Sequence, residues 1–345
     1  MTNDPLLLHA GASVRGLMLR VLIALLPGMA AYVWFFGAAI LVQIAIASLT
    51  ALVAEAAMLW LRRRPILPFV SDGSALVTAW LIALTFPPIV PWWLTVLATL
   101  IAIVIVKHLY GGLGQNPFNP AMVAFCAMIV SFPSLMSQWP AVGFTDFAPA
   151  LRAILGERLP DAIVMATPLD ALRTALHTPD ARATVAGVLG QGASFGNIGG
   201  KGWEWVAAGY FLGGLWLWQQ RVITWHVPVA FLVTLAVIAS LFHLAEPAQF
   251  APPSFHLLTG GAMLGAFFIA TDPVSGSTTP VGKLIFAAGI AMLAYLIRVF
   301  GAYPDGIAFA VLLMNLCVPL IDMHTQPKVF GHGRRARRRA AREPR

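Results

Sequence analysis

The sequence predicts an all-α integral membrane protein of about ten transmembrane helices, arranged as two inverted five-helix repeats. Three observations carry this reading. Apolar residues fill 59% of the 345 positions and charged residues only 10%, with a mean hydropathy of +0.80, whereas a soluble domain is about a quarter charged. Ten apolar runs flank one long polar stretch, five on each side. Lysine and arginine also keep to one side of the membrane once those runs are threaded through it.

The first five runs lie near 16–36, 39–61, 73–89, 91–109 and 120–133, and the second five near 203–218, 222–244, 257–271, 283–300 and 304–322. A straight helix needs about 20 residues to cross a hydrocarbon core of about 30 Å. Several runs are shorter than that, so broken or re-entrant helices are expected. The run at 16–36 is too long for a signal-peptide core and is followed at once by another, so it is read as a retained span.

With the N-terminus in the cytoplasm, the inner connections hold Arg15, Arg20, Arg62, Arg63, Arg64, Lys107, Arg221, Lys283 and the basic tail. The short outer connections near 37–38 and 88–92 hold no charge. The chain therefore divides into a first membrane repeat (1–133), an outer segment (134–202), a second membrane repeat (203–322) and a basic cytoplasmic tail (323–345). The net charge of +8 comes largely from that tail, which is read as a segment facing solvent or lipid headgroups. No nucleic-acid recognition fold accompanies it.

Five spans per half require the second half to run through the membrane inverted, a plan familiar from transporters. At one offset of 186 residues, Thr85-Phe86-Pro87 falls on Thr271-Asp272-Pro273 and Asn119 falls on Asp305. Short segments beginning at Gly73 and at Gly260-Gly261 occupy corresponding places. Such interrupted pairs point to a midplane site between repeats.

Cys126 and Cys317 lie in apolar runs and are read as small core residues rather than metal ligands or disulfide partners. His226 and His243 share one run, but 17 residues separate them by about 25 Å along a helix, too far for one haem. Asp72, Asp272 and Asp305 are the carboxylates nearest the broken spans. They read either as interfacial or helix-capping groups or as parts of an ion route or a second cofactor region. Lys107 and Arg298 lie near glycine-rich turns and read either as partners of a phosphate or carboxylate or, like most such side chains, as residues that snorkel to the interface.

In the outer segment, Thr167-Pro168-Leu169-Asp170 has the marks of a helix start. Threonine suits the N-cap, proline the first turn, and an acidic residue stands three positions on. The same geometry places a hydroxyl beside free backbone N–H groups at the positive end of a helix, where a phosphate is stabilised. Asp161-x-x-x-x-Ala166-Thr167 resembles the flavinylation motif Asp-x-x-Ser/Thr-Gly-Ala-Thr. In that motif a separate flavin transferase esterifies the last threonine to the phosphate of FMN. Together with SDGSALVTAWLIALTFPP (71–88), YGGLGQNPFNPAM (110–122) and GAFFIATDPVSGSTTP (265–280), the chain resembles the RnfD family of the Rnf ion-translocating electron transport complex. That family is similar to the NqrB family of the sodium-translocating NADH:quinone oxidoreductase.

The resemblance implies a urea-transporter-like fold in the cell inner membrane, with the outer segment in the periplasm. It also implies covalent FMN on Thr167, with Asp161 and Ala166 in the attachment motif. The role implied is electron carriage, with the other Rnf subunits, between ferredoxin and NAD, coupled to Na⁺ or H⁺ movement. Riboflavin, implied by the related NqrB family, is the candidate second flavin. Val164 and Met165 depart from the motif, but neither supplies the linkage oxygen. Thr278 and Thr279 are rival anchors on the wrong side of the membrane. The chain lacks a GxGxxG turn between strand and helix, so a partner must supply the nicotinamide site. Two other classes stay open: a small-solute channel or carrier, marked by absence of flavin, and a passive scaffold, marked by electron flow that survives loss of Thr167.

Overall fold

The computed structural model describes residues 13–157, 163–178, 183–192, 194–196 and 198–326. Asp161 and the basic stretch from 327 onward lie outside them. Helices occupy each of the ten apolar runs. The first half contains α1 (Val14–Phe36), α2 (Ala39–Leu61), α3 (Ile66–Val70), α4 (Ser74–Thr85), α5 (Trp92–Leu100, continuing as a π-helix over Ile101–His108) and α6 (Pro120–Ser131). The middle segment holds α7 (Pro133–Met136), α8 (Phe147–Ile154), α9 (Pro168–His177) and α10 (Val185–Gln191). The second half contains α11 (Trp203–Gln219), α12 (His226–Ala245), α13 (Pro253–Leu258), α14 (Ala262–Leu264, continuing as a π-helix over Gly265–Ile269), α15 (Pro280–Phe300) and α16 (Ile307–Thr325).

Five of these, α1, α2, α12, α15 and α16, are long and apolar enough to cross a membrane, as expected of a multi-pass membrane protein. Their outer faces carry large apolar side chains, including Trp34, Leu49, Trp60, Leu241 and Leu316, each more than 60% exposed. The interior is lined instead by small residues such as Ala47, Ala51, Ala79, Ala98, Ala239 and Ala287. Helices apolar all round, packed through small residues, are what a lipid environment selects.

Local chemistry sets the helix ends. Ser13 caps α1 by accepting from Gly16 N at 3.2 Å, and Asn119 caps α6 by accepting from Ala121 N and Met122 N. Gly73 enters α4 at φ +83°, a left-handed conformation that glycine adopts without strain, and Pro87-Pro88 follow its end. The run at 257–271 is not one helix. It breaks at Thr259-Gly260-Gly261 between α13 and α14, with Gly260 at φ +68°.

The most extensive contact joins the halves through α1 and α11. A Cβ at Gly213 would lie 1.8 Å from the Ala24 carbonyl oxygen, and one at Gly209 would lie 2.6 Å from Gly28 Cα. Gly209-x-x-x-Gly213 is therefore a small-residue crossing, which lets two backbones touch. Helix α6 meets α16 in a second cross-half contact. Within the halves the contacts correspond: α2 packs on α4 and α5, and α12 packs on α15 and on the π-helical part of α14.

The structure decides between the readings of Lys107 and Arg298 and corrects that of Cys317. Lys107 and Arg298 do not snorkel; both are 4% exposed or less and take the carboxylate-pairing alternative, Lys107 with Glu55 and Arg298 with Asp305. Cys126 is buried as expected, but Cys317 is exposed on the outer face of α16. Helix α16 continues to Thr325, three residues into the stretch assigned to the tail.

Candidate functional site

Thr167 stands where a short two-stranded sheet hands over to a helix. β2 (Val164–Met165) pairs antiparallel with β1 (Trp139–Pro140), Met165 opposite Trp139. This pairing gives Val164 and Met165 a structural reason: Val164 packs on the apolar cluster of Ala39, Ile89, Ala150, Ala153 and Ile154. Ala166 is exposed and Thr167 half-buried. Thr167 is the N-cap of α9, and its Oγ1 accepts from Asp170 N at 3.3 Å. The cap uses a lone pair of that oxygen and leaves its proton free for another bond.

Two glycine turns close around this helix end. A Cβ at Gly200 would lie 2.4 Å from Pro168 Cγ, and one at Gly260 would lie 2.5 Å from Leu169 Cδ1. Gly200 N donates to Thr259 Oγ1 at 3.2 Å. A side chain at Gly200 would press on the rigid Pro168 ring, and Gly260 holds a left-handed φ of +68° that favours glycine, so both glycines shape the seat of α9 at the break between α13 and α14.

Thr167 and Pro168 form part of the wall of a cavity of about 110 Å³ at the junction of the two halves. Its aromatic lining comes from Tyr32, Phe125, Trp139, Trp203 and Tyr210. On the scale at which one water needs 10–15 Å³ of such space, it holds roughly eight waters, the size of a fused heterocycle. The positive end of a helix, a half-buried hydroxyl and aromatic walls fit a phosphorylated aromatic cofactor.

Asp305 also lines this cavity. Its carboxylate accepts from Gly261 N at 2.7 Å and from Arg298 Nη2 at 3.2 Å, and Arg298 Nη1 donates to the His256 carbonyl at 2.8 Å. The pair thereby pins the α13–α14 break to α15 and α16. Asp272 lines a second cavity, of about 200 Å³, together with Ser74, Lys107, Asn116 and Asn119. The two cavities follow one another along α4, Ser74 to Leu81 facing the second and Leu84 and Thr85 the first. Asp72 joins the second through Ser74, whose hydroxyl donates to it at 2.6 Å. The three aspartates predicted as one region thus divide between two places, and each accepts backbone N–H bonds at a helix end or turn.

Sequence reasoning missed Glu55. It lies inside α2 and binds Lys107 Nζ at 2.7 and 2.9 Å, while Lys107 also donates to Ser74 Oγ at 2.8 Å. Asp322 was missed as well. It accepts from Ser277, Thr278 N and Thr278 Oγ1, so Thr278 is engaged there, while Thr279 caps α15. A carboxylate inside an apolar run was the available signal in both cases. His226 and His243 sit at opposite ends of α12.

The family model described as "NQR2, RnfD, RnfE family" matches residues 2–331. A relative from Aeromonas salmonicida (strain A449), named as the D subunit of an ion-translocating oxidoreductase complex, is 51% identical over 95% of this chain and 97% of its own length. Relatives of the same name from Yersinia enterocolitica and from Escherichia coli (strain SMS-3-5 / SECEC) are each 47% identical over 94% of this chain. They are covered over 97% and 96% of their lengths.

Proposed function

The chain belongs to the NQR2, RnfD, RnfE family, and from that premise we propose that it is the flavin-carrying membrane subunit of an ion-translocating oxidoreductase complex. FMN is esterified through its phosphate to Thr167, and its ring system occupies the aromatic cavity beside that residue. The observation that carries this reading is the position of Thr167: a helix-capping hydroxyl at the positive end of α9, in the wall of a cavity of matching scale. The relatives' shared name supports the complex and the coupling of redox chemistry to ion movement.

The flavin supplies the electron-transfer chemistry. This chain anchors the phosphate at the positive end of α9 and walls the ring with aromatic faces. The electrons pass between ferredoxin and NAD through the other Rnf subunits, one of which holds the nicotinamide site, with Na⁺ or H⁺ as the ion moved. A flavin transferase matures the chain. Two inverted five-span repeats in the inner membrane, with both termini cytoplasmic and 134–202 periplasmic, account for the corresponding contacts of the two halves. The second cavity, walled by Asp272, Asn116 and Asn119, is the place for riboflavin.

Membrane vesicles containing the whole complex test this. Wild-type vesicles are expected to couple ferredoxin–NAD electron transfer to Na⁺ or H⁺ uptake, and Thr167→Ala vesicles to fall to the background of vesicles lacking the chain. Unimpaired electron transfer in Thr167→Ala would overturn the carrier role and favour a scaffold.

A further inference from the structure

We propose that Tyr32 and Tyr210 are positioning residues whose hydroxyls hydrogen-bond the polar edge of the flavin ring; this rests on the reading that Thr167 carries FMN. Both side chains help to wall the Thr167 cavity, one from α1 and one from α11. They are 1% and 4% exposed. Neither hydroxyl has a hydrogen-bond partner among the described residues. A buried, unsatisfied hydroxyl costs about 1–3 kcal/mol, so phenylalanine would serve better in a wall that met nothing polar.

Three other polar groups of that wall are already engaged. Thr85 Oγ1 donates to the Leu81 and Ile82 carbonyls, Thr167 caps α9, and Asp305 holds Gly261 and Arg298. The tyrosine rings are also fixed. A Cβ at Gly28 would lie 2.3 Å from Tyr210 Cδ1, so the Tyr210 ring rests directly on the α1 backbone. Tyr32 stands edge-on to Trp203, with ring centroids 6.0 Å apart and planes at 89°, and lies 5.1 Å from Phe36.

What remains adjustable is the rotation of each hydroxyl. A phenol both donates and accepts, and one edge of an isoalloxazine alternates carbonyl oxygens with ring nitrogens, so the groups match. Donation to that edge stabilises the electron-rich, reduced flavin over the oxidised form. Because α1 and α11 come from different halves, the two hydroxyls also make the flavin's environment sensitive to how the halves are docked.

The test uses the full chain co-expressed with a flavin transferase: wild type, Tyr32→Phe, Tyr210→Phe and the double variant. Covalent flavin is first counted by fluorescence of the denatured chain, and the native protein is then titrated potentiometrically. All four proteins are expected to load flavin fully. The midpoint potential of the flavin should move to more negative values in each single variant and further in the double. Full loading with unchanged potential and absorption spectrum would overturn the proposal while leaving the Thr167 attachment standing. A wild-type chain without covalent flavin would overturn the attachment and this proposal with it.

Discussion

Gly213→Ala is expected to destabilise the protein by about 3 kcal/mol, the upper end of the usual cost of overpacking. The added Cβ would lie 1.8 Å from the Ala24 carbonyl oxygen and 2.9 Å from the Ala24 carbonyl carbon. These are backbone atoms of α1, so no rotamer change can make room, and α11 must move as a body. That movement also lifts Gly209 off Gly28 and slides Tyr210 from its seat on α1. Gly190→Ala is the control, because nothing lies within 4 Å of a Cβ there. Unfolding of the two variants in detergent should show a large loss for Gly213→Ala and almost none for Gly190→Ala. Equal stabilities would mean that the close approach of α1 and α11 is not a feature of the folded protein.

Lys107→Met is expected to cost about 3–5 kcal/mol, because it leaves the buried Glu55 carboxylate without its counter-charge. Glu55 and Lys107 are 2% and 3% exposed, and the three bonds made by Lys107 Nζ tie α2, the π-helical end of α5 and the first residue of α4 together. His108 Nε2 lies 3.8 Å from Glu55 Oε1, too long for a bond that could replace the lysine. Replacing both partners, Glu55→Leu with Lys107→Met, should recover much of the loss, since an apolar pair of similar volume needs no compensation. A double-mutant cycle by detergent unfolding checks this. Additive losses would show that the two side chains do not interact.

Much of this fold was legible because lipid imposes a simple rule: the ten apolar runs could be marked from composition alone, and a helix occupies each. Thr167, Pro168 and Asp170 announced the start of α9, since capping is local chemistry written in four adjacent residues. What was illegible depended on residues far apart in the chain. Glu55 and Lys107 are separated by 52 positions, and nothing local distinguishes a lysine that finds a buried carboxylate from one that snorkels. The three aspartates look alike as span-end carboxylates, and only packing places Asp305 in the wall of the cavity that Thr167 also lines and Asp272 in that of the other. Gly209-x-x-x-Gly213 was readable as a small-residue crossing, but its partner Gly28 lies in the other half. Cys317 shows the converse: in a membrane helix an apolar neighbourhood along the chain does not mean burial, because the outer face is apolar too.

The most direct measurement is ultraviolet in-gel fluorescence of the denatured chain after co-expression with a flavin transferase, comparing wild type, Thr167→Ala and Thr167→Ser. Attachment of FMN at Thr167 predicts a fluorescent wild type, a dark Thr167→Ala and a Thr167→Ser that keeps the signal, since serine also supplies the hydroxyl and the cap. A dark wild type, with a control protein flavinylated in the same cells, or a Thr167→Ala as bright as wild type, would contradict it.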